Sequence, residues 1–291
     1  MKKKYNLNKK ETFVGFLFCL PSILGMFVFF IIPFSTTIYI SFTENMGSSN
    51  FVGLTNYINV LNSAAFKLAA VNTLRFNLIA VIAIIIISLF IALLLFRKLK
   101  GYDFFRTAFI FPLVLPVVSV VLFFRIIFSD FGVINNVLSF FNISPVDWIN
   151  SENSFIMLLV LYLWKNVGYN IILFLAALNS IPKIYYEASD LDGANKFRQF
   201  YLITFPLIVP YTFFIIIISI INSFKSFREA FILFGSHPHQ SIYMIQHFMN
   251  NNFQNLNYVR LSVGAILIFI VIFMLVLILF KIRNKIGDIE L

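Results

Sequence analysis

The sequence predicts an all-helical protein that crosses a membrane six times. Hydrophobic residues make up 60% of its 291 residues, and charged residues make up only 12%. A soluble domain is about half apolar and about a quarter charged, so this composition excludes a soluble globular protein. The apolar residues also gather into six runs, each of about the twenty residues that a helix needs to cross a bilayer.

Polar or basic segments separate the six apolar runs and set the bounds of the predicted spans. Within the single transmembrane domain that we expect over residues 1–291, the spans cover 13–32, 72–96, 104–128, 155–178, 207–226 and 261–280. Pro112 and Pro116 interrupt the third run. Because a proline removes a backbone hydrogen bond and clashes with the preceding turn, we expect that helix to bend there. Cys19 lies inside the first run, where we expect a small buried thiol.

The basic residues predict which side of the membrane each end of the chain faces. Fifteen of the 22 Lys and Arg residues lie in the first ten residues, the turn after the second span, the segment 179–206 and the C-terminal tail. An excess of Lys and Arg marks the cytoplasmic loops of membrane proteins. We therefore predict a multi-pass protein of the bacterial plasma membrane with both termini and the segment 179–206 in the cytoplasm. The net charge of +10 then belongs to span ends and does not form a patch for nucleic acid.

The segment 179–206, between the fourth and fifth spans, carries the most specific signal in the chain. Pro182 stands where a helix can begin, because its missing N–H costs nothing in a first turn, and Gly193 stands where a helix can end. The segment therefore predicts a short helix, a bend and a second short helix along the cytoplasmic face. Its composition alone is typical of an amphipathic helix that rests on lipid headgroups.

The spacing of six residues within this segment gives it a second interpretation. These residues are Glu187, Ala188, Ser189, Gly193, Ile203 and Pro206. They resemble the EAA motif of ABC importer permeases, with Ser189 in place of the second alanine and Phe205 in place of a leucine. In that family the loop inserts into a cleft of the ATPase subunit. The resemblance therefore implies that these six residues couple the chain to an ATPase.

The resemblance extends over nearly the whole chain, to the carbohydrate-type permeases of maltose and glycerol-phosphate importers. Four further stretches carry it, in the order FVGLTNY at 51–57, FFRTAFIFPLVLP at 104–116, VDWI at 146–149 and WKNVGYN at 164–170. The family implies a sugar substrate, a second permease subunit, two ATP-binding subunits and an extracellular solute-binding protein. ATP and magnesium would be bound by those ATP-binding partners, and no cofactor is expected in this chain.

No catalytic apparatus is recognisable, and two other classes of transport protein stay open. The chain contains no G-x-x-x-x-G-K-[ST] phosphate loop. Three histidines, His237, His239 and His247, are expected to be solvated in an outer loop rather than to bind a metal. An ion-coupled secondary carrier is the main alternative, but such carriers bury carboxylates in their spans, and by the predicted bounds every Asp and Glu lies in a tail or loop. The membrane component of a phosphotransferase system would need a phosphorylatable domain.

Polar residues inside the fourth span are candidates for the solute path. Lys165 lies about ten residues, or roughly 15 Å, from the outer end of that span, where a charge costs about 2.5–3.5 kcal/mol. Asn166 and Asn170 are four residues apart and share a helix face, so their amides are placed to bind sugar hydroxyls. Lys165 can also extend outward to the headgroups or pair with the partner permease. The candidates are Lys165, Asn166, Tyr169, Asn170 and, at the outer end of the fifth span, Asn222 and Lys225.

Overall fold

The structure, a computed structural model, describes residues 9–96 and 101–287. Every regular element in these residues is a helix, and the only extended pairing among them is an isolated bridge between Thr43 and Phe51. The predicted all-helical fold is confirmed. The basic residues at 2–4 and 97–100 fall outside the described residues.

Five helical stretches of the described chain are long and apolar enough to cross a membrane. They are Thr12–Ser41, Ala64–Phe96, Ser154–Asn179, Lys196–Phe234 and Tyr258–Arg283. We call them the first, second, fourth, fifth and sixth spans. A further pair of helices passes the same test only when its two members are taken together, and counting this bent pair as one span gives six candidate crossings.

That pair, Asp103–Val114 and Val117–Ile127, is bent by 102°. The break falls at Leu115, whose ψ is 138°, because a residue before proline is driven from helical into extended backbone. Pro116 then caps the second helix of the pair. The bend expected at Pro116 is therefore present. Pro112, by contrast, lies inside the first helix of the pair and does not end it.

Several helices extend well beyond their apolar runs. The first span contains a π-helical turn at Phe27–Ile31 and then continues as α-helix past Pro33 to Ser41. The second span begins at Ala64. An apolar run reports the part of a helix that contacts hydrocarbon, whereas the helical hydrogen bonds continue into polar residues. The fourth span, by contrast, lies within one residue of its predicted bounds at either end.

The fifth span departs most from expectation. Its helical stretch begins at Lys196, so the second short helix predicted in the segment 179–206 is continuous with the span. It also continues beyond Lys225 into the helix Phe227–Phe234. The outer loop expected between residues 226 and 261 is therefore wrong over much of its length, because it contains two helices, Phe227–Phe234 and Ile245–Gln254.

The chain forms two compact units. One comprises Met1–Asn62 and Asn252–Ile270. Within it, the FVGLTNY motif fastens the end of the first span, since Tyr57 Oη lies 2.8 Å from Ser41 Oγ. Asn56 Nδ2 donates to the Ser41 carbonyl at 3.0 Å and to the Thr43 carbonyl at 2.8 Å.

The other unit comprises Ser63–Asn251 and Val271–Leu291. Its main core joins the second, fourth and fifth spans around fully buried aromatic and aliphatic side chains. The rings of Phe76 and Tyr162 meet edge to face with centroids 5.8 Å apart. Tyr162 Oη donates to the Ser219 carbonyl at 3.2 Å, so this core also contains a satisfied polar contact between the fourth and fifth spans.

Cys19 departs from expectation in the first unit. The first span has no buried residue in its most apolar window, and the Cys19 side chain is exposed on it. The expectation of a buried thiol is therefore wrong for this chain by itself. A membrane helix needs no protein neighbour to shelter apolar side chains, because lipid does so.

Candidate functional site

A short exposed helix, Lys183–Leu191, joins the fourth span to the fifth. We call it the loop helix. It contains no buried residue. Ile184 and Leu191 expose 68% and 90% of their surface, and Glu187 is also exposed. Exposed apolar side chains beside a carboxylate are typical of a surface that binds a partner or a membrane.

The bend that ends the loop helix depends on the backbone of Gly193. Its φ of +72° lies in the left-handed region, which glycine enters without steric cost. The Ala194 N–H donates to the Ser189 carbonyl at 2.9 Å and the Gly193 N–H donates to the Asp190 carbonyl at 3.1 Å. This pair of hydrogen bonds is the Schellman helix end. No atom lies within 4 Å of the position that a Cβ on Gly193 would occupy, so the torsion alone requires glycine.

A side-chain network holds the loop helix against the start of the fifth span. Gln199 is buried, and its Nε2 donates to Ser189 Oγ at 2.8 Å and to Asp190 Oδ1 at 2.6 Å. Lys196 Nζ reaches the same Asp190 oxygen at 3.1 Å. These hydrogen bonds, first from Lys196 and then from Gln199, hold the pKa of Asp190 below its usual value. Ser189, which departs from the alanine of the motif, thus places a hydroxyl at the centre of the network.

The six residues of the EAA-like spacing fall into three places. Glu187 and Ala188 are exposed on the loop helix. Ser189 and Gly193 shape the bend, as described above. Ile203 is packed against the main core, and Pro206 lies in the first turn of the helix Phe205–Lys225. Gln199 is the residue that sequence reasoning missed, because its buried position depends on a contact with Ser189 across the bend.

The fourth span contains a buried ion pair. Lys165 Nζ donates to Glu229 Oε1, and the two side chains are only 12% and 9% exposed. Glu229 belongs to the helix Phe227–Phe234 inside the fifth span, so its assignment to a loop is wrong. Lys165 therefore pairs within this chain, rather than extending to the headgroups or to a partner subunit. Glu229 Oε2 is buried without a hydrogen-bond partner among the described residues.

The two asparagines of the predicted solute path have different surroundings. Asn170 is 2% exposed, and its Nδ2 donates to Ser219 Oγ at 2.9 Å. Asn166 is half-buried, and its Nδ2 donates to the Tyr162 carbonyl one turn back in its own helix at 2.9 Å. Among the described residues, no group donates a hydrogen bond to the Asn166 side-chain oxygen, so this oxygen is uncommitted there, whereas Asn170 joins the fourth span to the fifth. Of the remaining candidates, Tyr169 and Asn222 are half-buried and Lys225 is exposed.

Gly168 lets two of the resembling stretches pack closely against each other. A Cβ at this position would lie 1.7 Å from the Phe109 carbonyl oxygen, which no side chain can accommodate. The WKNVGYN stretch of the fourth span and the FFRTAFIFPLVLP stretch therefore approach each other with backbone against backbone. Trp164 adds a ring contact with Phe124 at 5.6 Å between centroids.

The VDWI stretch belongs to a loop that one side chain organises. Asn135 is buried, its Oδ1 accepts from the Val146 N–H at 3.0 Å and from Trp148 Nε1 at 3.1 Å, and its Nδ2 donates to the Val146 carbonyl at 3.0 Å. Asp147 Oδ1 accepts from the N–H groups of Asn150 and Ile149, which lowers the pKa of that carboxyl. The sequence alone does not single out Asn135, because its partners Val146 and Trp148 lie 11 and 13 positions away.

His247 departs from the expected solvated loop. It lies fully buried in the helix Ile245–Gln254, with its ring 4.9 Å from that of Phe227. Its Nδ1 accepts from the Met244 N–H at 3.2 Å, which leaves Nε2 with the proton of the neutral ring. Burial, with a smaller contribution from His237, lowers the pKa of His247 to about 4. The expectation of a solvated side chain is wrong for this histidine.

Comparison with known proteins finds a matching family and relatives that are similar over most of the chain. Residues 84–286 match the family described as binding-protein-dependent transport system inner membrane component. The arabinooligosaccharides transport system permease protein AraP of Bacillus subtilis is 34% identical over 284 residues, which are 93% of this chain and 88% of that protein. The trehalose/maltose transport system permease protein MalF of Thermococcus litoralis is 30% identical over 237 residues, 80% of each chain.

A solved structure has the same fold. It is the crystal structure of a bacterial ABC transporter involved in the import of the acidic polysaccharide alginate, and one of its chains superposes with a TM-score of 0.84 at 21% identity. The match covers 95% of this chain and 96% of that one.

Proposed function

This chain belongs to the family of binding-protein-dependent transport inner membrane components, and we propose that it is one of two permease subunits of an ABC importer for sugars or oligosaccharides. It is a multi-pass protein of the plasma membrane. The observation that carries the proposal is the similarity, over 93% of the chain, to a permease named for arabinooligosaccharides. A second relative is named for trehalose and maltose, which supports the same substrate class.

The proposal assigns coupling to the loop helix. Glu187 and Ala188 would contact the ATPase subunit, and the bend at Gly193 would fix the angle of the loop helix against the fifth span. The Gln199 network and the packing of Ile203 would transmit a movement of the loop helix to the spans. ATP and magnesium would stay in the ATPase partners, and a solute-binding protein would deliver the sugar from outside.

The proposal places part of the solute path beside Asn166. Its uncommitted carbonyl oxygen would accept a hydrogen bond from a sugar hydroxyl, with Tyr169, Asn222 and Lys225 as further contacts. Asn170 would contribute after a rearrangement that releases Ser219. Replacement of Asn166 by alanine should raise the KM for uptake and leave the amount of assembled importer unchanged.

An ion-coupled carrier is less well supported. A proton relay needs a carboxylate that is free to titrate, but the membrane carboxylate in the fourth and fifth spans, Glu229, is held by Lys165. The relatives named above are permeases of transport systems that carry sugars.

The test is sugar uptake by the chain expressed with its neighbouring importer subunits in proteoliposomes, with the binding protein added outside. We expect uptake of arabinotriose or maltotriose to require ATP inside the vesicles and to persist when an ionophore collapses the ion gradients. Uptake that needs no ATP and stops with the ionophore would support the carrier instead.

A further inference from the structure

A polar cleft of about 630 Å³ lies within the first unit, and none of the candidate site residues lines it. It is formed where the first span has ended and where the sixth span begins, which the predicted sidedness puts on the outer face. Pockets that hold small ligands usually have volumes of about 300–1,000 Å³. Its lining contains five asparagines, namely Asn45, Asn56, Asn59, Asn255 and Asn257.

Two of these asparagines stabilise the walls of the cleft, and the side chains of the other three are available to bind a ligand. Asn56 fastens the end of the first span, as described above, and Asn257 Oδ1 accepts from the Arg260 N–H at 3.1 Å at the start of the last helix. The side chains of the other three make no hydrogen bond within the described part of the chain, and all three are exposed; they are Asn45, Asn59 and Asn255. Each amide offers two N–H donors and a carbonyl acceptor.

The charges of the cleft cancel. Glu44 and Arg260 both line it, and no ion pair joins them among the described residues. A phosphate or a carboxylate ligand would call for an excess of basic side chains. A balanced site rich in amides suits a neutral polyhydroxylated ligand, whose hydroxyls both donate and accept hydrogen bonds. Tyr258 and Met46 add an aromatic and an aliphatic surface for the ring faces of such a ligand.

We propose that this cleft binds a sugar unit of a neutral oligosaccharide on the outer face of the membrane. The inference rests on the proposed import of sugars, and it adds a subsite that shares no residue with the polar residues of the fourth span. Because the three uncommitted asparagines are exposed at the surface, the cleft is placed to hold one end of a long chain. A disaccharide enclosed elsewhere in the importer would leave the cleft empty.

The test compares the KM for uptake of a short and a long sugar of one series, arabinobiose with arabinohexaose and maltose with maltohexaose. The variant is Asn59→Ala with Asn255→Ala. Its matched control is Asn62→Ala with Gln254→Ala, two exposed amides on the same segments that do not line the cleft. The assembled importer and its binding protein are used throughout, and the amount in the membrane is measured by immunoblot.

Two lost neutral hydrogen bonds predict a KM about tenfold higher for the hexaose, with the KM for the disaccharide and kcat unchanged. The control variant should behave as the wild type. Asn45→Trp, which fills the cleft without removing the other amides, should give the same dependence on length.

Three results would overturn the inference. An unchanged KM for the hexaose in both cleft variants would mean that the cleft binds no sugar. An equal rise in KM for short and long sugars would mean that the cleft contacts the binding protein instead. If the wild-type importer takes up neither series, the proposed function fails together with this inference, whereas the first two results leave the proposed function intact.

Discussion

Gly193 controls the loop helix at the scale of a single residue. Its positive φ is required by the bend, and its side-chain position faces open space. We expect Gly193→Val to reduce uptake severely, because a β-branched residue is strained at positive φ by roughly 1–2 kcal/mol or more. Gly193→Asn should keep most of the uptake, since asparagine tolerates this torsion. Uptake and the amount of protein in the membrane are measured together, and equal uptake by the two variants would contradict a role for the torsion.

The ion pair between Lys165 and Glu229 is a second residue-scale feature with a measurable consequence. Removal of one partner of a buried pair leaves an uncompensated charge and typically costs about 3–5 kcal/mol. We therefore expect Lys165→Met alone to lower the thermal stability of the detergent-solubilised protein. The double variant Lys165→Met with Glu229→Gln should recover most of that loss, because neither charge is left alone. Additive losses in the double variant would show that the two side chains do not interact.

At the scale of elements, the outer helix Ile245–Gln254 predicts a dependence on pH. The pKa of His247 is about 4 in the folded protein and ordinarily 6.5. The unfolded state therefore binds the extra proton between those values, so the stability that the neutral ring provides is complete above pH 6.5 and is lost as the pH falls toward 4. The difference of about 2.5 in pKa corresponds to about 3 kcal/mol.

We expect the apparent Tm of the wild type in detergent to fall between pH 7.5 and pH 5. In His247→Gln that fall should be smaller, because the amide does not titrate. His237→Gln, which replaces an exposed histidine with the smaller contribution to the pKa of His247, is the comparison variant and should reduce the fall only slightly. If the apparent Tm of His247→Gln falls as much as that of the wild type, the loss of stability at low pH arises from another titratable group.

The elements also divide into those that the sequence predicts and those that it does not. The fourth span was predictable because an uninterrupted apolar run ends at polar residues on both sides. The end of the fifth span was not, because Glu229 reads as a loop residue until its partner Lys165, 64 positions earlier in the chain, is known. His247 misled the prediction for the same reason, since its ring packs against Phe227, 20 positions earlier in the chain.

The candidate site at the loop helix was also predictable only in part. The glycine that ends the loop helix follows from local turn chemistry, which a sequence pattern records directly. Gln199 does not, because a buried glutamine acquires its role from Ser189 and Asp190 across the bend. The close approach at Gly168 likewise requires knowledge of Phe109 in another helix.

At the scale of the whole molecule, the basic residues predict how the chain is oriented in the membrane. In a Cys19→Ser background, a single cysteine at Asp190 should react with an impermeant maleimide only after the cells are opened. Single cysteines at Asn142 and Asn255 should react in intact cells, because positive-inside orientation places them outside. Labelling of the Asp190 position in intact cells would reverse the orientation and remove the loop helix from the compartment that contains ATP.

The central claim for the whole molecule is that the loop helix binds an ATPase subunit rather than resting on lipid headgroups. Ile184 is 68% exposed and lies three residues before Glu187 on the same helix face, so a photoreactive p-benzoylphenylalanine in its place reports what that face contacts. A matched probe at Asn142 serves as the control on the opposite side of the membrane.

Irradiation of the assembled importer in its membrane, followed by mass spectrometry of the product, is the most direct measurement. We predict a covalent product between the Ile184 position and the ATPase subunit, with no such product from the Asn142 position. A probe at Ile184 that links only to lipid, in a complex that still imports sugar, would contradict the account.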